Sequence, residues 1–106
     1  MVLGDRYGTS CVSAVSETIE TVLRQEGFSV SRNKPYAGGF ITEHYGNPSA
    51  GLHAIQLELN RALYMDEKGY QKLPRFAQVA GILDALAGRL AEIPMEELRP
   101  YRAAAE

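Results

Sequence analysis

The chain has 106 residues, 45% hydrophobic and 23% charged, the balance of an ordinary globular domain rather than of a disordered or fibrous chain. Its net charge of -2 comes from 11 Lys and Arg against 13 Asp and Glu scattered along the sequence, so no basic stripe points to nucleic acid or to an anionic membrane. No apolar run approaches the ~20 residues of a membrane-crossing helix and "MVLGDRYG" lacks a basic-then-apolar leader, so the expected setting is cytoplasmic.

In chain order, "MVLGD" is a short apolar strand delivering its C-terminal end into a loop at Gly4 and Asp5. "SAVSETIETVLRQE", Ser13 to about Glu26, places Val15, Ile19, Val22 and Leu23 at helical spacing, with Gly27 as the stop. "FSVSR" alternates Phe28 and Val30 against Ser29 and Ser31 and reads as a strand. "KPYAGG" breaks it, "FITEHYG" is expected to be β, and "NPSAG" closes that segment as a turn. "LHAIQLELN" reads as the next strand. From about Leu73 to Ile93 the spacing predicts the longest helix, with Phe76, Val79, Ala80, Leu83, Leu86, Ala87 and Leu90 on one apolar stripe. Strands alternating with helices predict an α/β sheet covered by helices, in one domain, with a fraying end at "RPYRAAAE".

In "HAIQLELN", Ile55, Leu57 and Leu59 share one face while Gln56, Glu58 and Asn60 share the other. A sheet covered on both faces needs a specific reason to hold a carboxylate, and open α/β sheets place ligand crevices at strand C-terminal ends. Glu58 is therefore a candidate catalytic carboxylate, the alternative being a solvated surface one. Arg61 follows it and either clamps a substrate carboxylate or pairs with Asp66 or Glu67. Arg32 and Asn33 end their own strand in the same way, and Tyr36 begins the turn after them. His44 is a proton carrier or ligand, or a hydrogen-bonded structural residue. Pairing it with His53 across a Pro/Gly turn matches no standard zinc spacing. Cys11 has no partner for an internal disulfide or a zinc cluster and is expected to be a buried or incidental thiol.

Taken together and in order, "LGDRYGTSC", "RNKPYAGGFITEHYG" and "HAIQLELNRALYMDE" resemble the C-terminal part of the N-formylglutamate amidohydrolase family. The resemblance implies a zinc-dependent amide hydrolase that cleaves N-formyl-L-glutamate to formate and glutamate at the end of a histidine-degradation route, the alternatives being a hydrolase of another N-acyl amino acid or a catalytically silent interaction domain. It also implies the C-terminal part of a three-layer α/β/α fold of the zinc-carboxypeptidase-like (phosphorylase/hydrolase-like) kind, with residues 1–106 forming one partial domain. By position in "QLELNR", Glu58 would be the general base. Arg32, Asn33, Tyr36, His44 and Arg61 would line the site of this small-molecule substrate, with His44 a further candidate for stabilising the oxyanion. The Pro-His-Ser-Gly-like and Asp-x-His-Ser-like segments expected to hold zinc in that family are absent from this sequence. The resemblance therefore implies a C-terminal portion whose metal ligands lie outside it, silent or incomplete on its own.

Overall fold

The computed structural model describes residues 1–100. Strand β1 (Val2–Gly4) lies between β2 (Ser31–Arg32) and β3 (Gln56–Glu58), in the order β2-β1-β3. The strand pair β1–β2 is parallel, with Leu3 opposite Arg32, and the N–H of Asn33 reaches the carbonyl of Leu3 at 2.7 Å. Parallel neighbours need a crossover, and helix α1 (Ser13–Gln25) supplies it. β3 runs antiparallel to β1, pairing Val2 with Glu58, Leu3 with Leu57 and Gly4 with Gln56.

Helix α1 follows its sequence pattern closely. Val15, Ile19, Val22 and Leu23 are buried, and burial of each such side chain contributes about 1.5–3 kcal/mol. Its end is set by Gly27 at φ +90°, which lets Phe28 N–H turn back to the Leu23 carbonyl at 3.0 Å. Leu3 and these residues meet Ile82 and Leu86 of α3 (Phe76–Ala91) in one core. The helices therefore cover the sheet face that carries Leu3 and Leu57. Cys11 is free and buried in that same core.

Several elements differ from the sequence pattern. Segment Phe40–Tyr45 is a helix, α2, not a strand. Its β-branched and aromatic residues favour extended backbone in isolation, but tertiary contacts override that preference. Glu43 N–H and the Thr42 hydroxyl both bond the Gly39 carbonyl, Thr42 is buried, and Glu43 reaches Arg6 as an ion pair. The strands around Val30 and Leu57 shrink to two and three residues. In α3 the buried positions are Val79, Ile82 and Leu86; Ala80 and Ala87 are exposed, and Ile82 takes the core place that the longer stripe misses. After β3, β4 (Met65–Asp66) and β5 (Gln71–Lys72) form a hairpin in a segment for which the sequence pattern assigns no element. It brings Tyr64 against the Phe76 ring, with centroids 5.6 Å apart. A short helix, α4 (Met95–Leu98), completes the described chain. The fraying expected in "RPYRAAAE" lies almost wholly outside the described residues. Among those described, no helix is long and apolar enough to cross a membrane.

Candidate functional site

Residues directly opposite one another in an antiparallel pair share a face, so Val2, Gly4, Gln56 and Glu58 all point away from α1 and α3. The other layer on that side is thin. The loop at Ala37 and Gly38 crosses Gly4 so closely that a Cβ there would stand 2.7 Å from the Ala37 carbonyl carbon. Gly39 N–H donates to Gln56 Oε1 at 3.3 Å, tying the same loop to β3.

Glu58 is half-buried, and its Oε2 is enclosed with no hydrogen-bond partner, the single such buried side-chain atom among the described residues. Leaving a buried polar group unpaired costs about 1–3 kcal/mol, more for a charge, so an atom in this state asks for a reason. The strand-end argument does not supply it. Because β3 is antiparallel, its C-terminal end lies beside Val2, away from the C-terminal ends of β1 and β2. What distinguishes Glu58 is its orphaned oxygen.

The residues expected to surround it are distributed over the molecule. Arg32 shares the face of Leu3, opposite to that of Glu58. There its Nε donates to Glu20 Oε1 at 2.7 Å and its Nη1 reaches the Ser16 hydroxyl at 3.5 Å, joining β2 to α1. That hydrogen bond, with the charges of Arg32 and Arg24, holds the Glu20 carboxyl below its ordinary range against the opposing effect of desolvation.

Asn33, at φ +63°, spends its amide on the turn after β1. Its Oδ1 accepts from Asp5 N–H at 3.1 Å and Tyr7 N–H at 3.4 Å, and its Nδ2 donates to Asp5 Oδ1 at 2.9 Å. His44 stacks on Phe40 with centroids 4.8 Å apart and meets the Tyr45 ring edge-on. Tyr36 is exposed on the loop that leads into α2. Arg61 faces Glu67 at 3.6 Å with both side chains exposed, a geometry that contributes little. Among the described residues, no hydrogen bond or ion pair joins Glu58 to any of these five.

Sequence reasoning passed over the residues that organise this region. Asp5, 4% exposed, also accepts from Gly8 N–H at 2.9 Å, which closes a turn in which Arg6 and Tyr7 both adopt left-handed backbone. Arg6 donates to the Gly38 carbonyl at 3.1 Å and so holds the loop over Gly4. The glycines bracketing "GDRYG" were the available signal. His53 joins Val12 N–H at 3.2 Å to the Leu98 carbonyl at 2.7 Å, which a ring protonated on Nε2 satisfies at both ends. It is a structural pin, separate from His44.

No group of three or more His, Cys, Asp or Glu side chains among the described residues converges as a metal site. The residues present do not by themselves fit the zinc that the sequence resemblance implies.

The N-formylglutamate amidohydrolase family model matches residues 1–65, a stretch that contains all six candidate residues. The N-formylglutamate deformylase of Pseudomonas aeruginosa is 45% identical over 67 residues, covering 62% of this chain and 25% of that protein. That of Pseudomonas putida is 41% identical over 66 residues, covering 61% and 25%. The crystal structure of N-formylglutamate amidohydrolase from Ralstonia eutropha JMP134 superposes with a TM-score of 0.81 at 37% identity, covering 86% of this chain and 32% of that one. The chain thus spans a quarter of the length of these curated relatives. Matched over well more than half of its residues by the family model, and in fold by a solved member, the chain belongs to the N-formylglutamate amidohydrolase family.

Proposed function

We propose that this chain contributes the general base to hydrolysis of N-formyl-L-glutamate, as part of a larger amidohydrolase domain, and that the base is Glu58. The observation that carries this reading is Glu58 Oε2, enclosed and without a partner on a face that the described chain covers only thinly. In the step, a water oxygen attacks the formyl carbon while Glu58 Oε2 takes the water proton. The same carboxyl then gives that proton to the amide nitrogen as the C–N bond breaks, leaving formate and glutamate. The partial enclosure of the carboxylate keeps bulk water from competing for it.

For the two substrate carboxylates, Arg61 is the candidate cation among the described residues. It sits three positions beyond Glu58, and the one ion pair its side chain makes among those residues is an exposed 3.6 Å contact with Glu67 that a ligand can displace. Tyr36 and His44 remain candidates for the site wall, and His44 for the oxyanion. Arg32 and Asn33 are better understood as the residues that fix β2 and the Asp5 turn. The reading carries with it a third layer over the Glu58 face, a cytoplasmic setting and a place at the end of histidine degradation. A zinc requirement is a property of the rest of the domain, and the isolated chain should release no formate.

The test is a chimera in which this chain replaces the matched third of the Ralstonia eutropha protein. It should release formate from N-formyl-L-glutamate, and Glu58→Gln should lower kcat by about 10²–10⁴, the range of a lost general base. A Glu58→Gln chimera with undiminished turnover would remove Glu58 from the chemistry.

A further inference from the structure

Within the β1–β3 pairing, the face that points away from the helices carries Val2 and Gly4 from β1 and Gln56 and Glu58 from β3, so its polar side chains are those of Gln56 and Glu58. Asn60, next in the same alternation, spends its Oδ1 on Ala62 N–H at 2.9 Å. Gln56 and Glu58 stand two positions apart on one strand, which puts their Cβ atoms about 7 Å from each other on the same side. A carboxamide offers an acceptor and a donor, and here the two ends are in different situations. Gly39 N–H can meet only an acceptor, so its 3.3 Å contact fixes Oε1 on the loop and makes Nε2 the other end. Among the described residues Nε2 makes no hydrogen bond, and it is not enclosed as Glu58 Oε2 is. Holding the loop does not explain this donor. The loop has other ties, since Arg6 N–H donates to the Ala37 carbonyl at 2.9 Å and Arg6 Nη1 to the Gly38 carbonyl at 3.1 Å. A tie to Gly39 also asks only for an oxygen, which a glutamate would supply with a charge-assisted bond.

We propose that Gln56 is a substrate-binding residue whose Nε2 donates to the α-carboxylate of the N-formyl amino acid while its Oε1 stays on Gly39. The assignment rests on reading Glu58 as the general base, because the formyl carbon must then stand beside Glu58. In an N-formyl amino acid the α-carboxylate is carried by the carbon attached to the scissile nitrogen. It therefore comes within reach of a side chain one step along the same face. The side-chain carboxylate of glutamate lies two methylenes farther out and falls to more distant groups such as Arg61. An uncharged donor suits the inner position. A cation there would pair with Glu58 and weaken it as a base, whereas a carboxamide bonds the substrate carboxylate and leaves the base its charge.

The test uses the chimera of this chain with the Ralstonia eutropha protein and two substrates, N-formyl-L-glutamate and its α-carboxamide, N-formyl-L-isoglutamine. Gln56→Glu keeps the acceptor for Gly39 and replaces the donor by an anion. It should raise KM for N-formyl-L-glutamate at least ~10-fold and leave KM for the carboxamide, which has N–H groups to offer, unchanged or lower. Amide exchange at Gly39 should stay as slow as in the parent chimera, which shows the loop still tied. An effect of the new charge on Glu58 alone would appear in kcat for both substrates alike and not in the preference between them. Gln56→Met, of similar length with neither donor nor acceptor, should lower the preference for the carboxylate substrate at least ~10-fold, and it decides the matter if the Gln56→Glu chimera does not fold. An unmoved preference in either folded variant, or KM values that rise equally for the two substrates, would overturn the proposal. The failure of the base reading looks different. Undiminished turnover in the Glu58→Gln chimera would remove the base, while a preference that still answers to position 56 would keep the carboxylate contact.

Discussion

At the scale of single residues, the structure separates groups that the sequence places side by side. Arg32 and Asn33 are neighbours at a strand end, yet one reaches Glu20 on α1 and the other closes the turn at Asp5. Asn33→Ala would leave Asp5 Oδ1 with Gly8 N–H as its remaining donor and take the acceptor from the N–H groups of Asp5 and Tyr7, and should lower stability by about 1–3 kcal/mol, read from denaturant unfolding. A loss under a few tenths would show that water replaces the amide. Cys11 gives a second residue-scale expectation. Burial first, and the charge of Asp5 next, push its thiol up to about 11, so the protein favours the protonated form. The stabilisation is complete below the thiol's ordinary range and is lost as pH rises towards 11. Alkylation of the folded protein at pH 8 should be at least ~10-fold slower than in denaturant; equal rates would contradict the burial. The buried thiol was legible from its lack of partners. The orphaned oxygen of Glu58 was not, because alternation assigns a face but not what covers it.

At the scale of elements, helix α1 was readable because four apolar residues and a terminal glycine all agree. Segment Phe40–Tyr45 was misread because its local preference is β, while Gly39 and Arg6, outside the segment, and the burial of Thr42 within it impose a helix. The Gly4 contact is of the same long-range kind. Gly4→Ala would drive a methyl into the Ala37–Gly38 backbone, and the expected loss is about 1–3 kcal/mol, with the loop displaced. An alanine variant as stable as the parent would mean that the loop yields without strain. Arg32→Ala acts between elements. It should raise the Glu20 titration midpoint towards the ordinary carboxylate value, as followed by NMR. The sign follows from the native shift: Glu20 is held low, so its contribution is present at neutral pH and is lost as pH falls through its lowered midpoint.

At the scale of the whole molecule, helices α1 and α3 close one face of the sheet into a core, and the opposite face carries a thin loop, Gln56 and Glu58. The α/β character was predictable from alternating periodicities. The direction of β3 was not, since a strand's pattern is the same read either way, and that direction moves Glu58 to the opposite end of the sheet from Asn33. The family model covers residues 1–65, which include all three strands of the sheet, and the match to the solved relative covers 32% of that relative's chain. The most direct measurement is formate release by the chimera carrying Glu58 against the one carrying Glu58→Gln. The account predicts a kcat lower by about 10²–10⁴ with KM little changed, the signature of a lost proton acceptor. Equal turnover in the two proteins would contradict it.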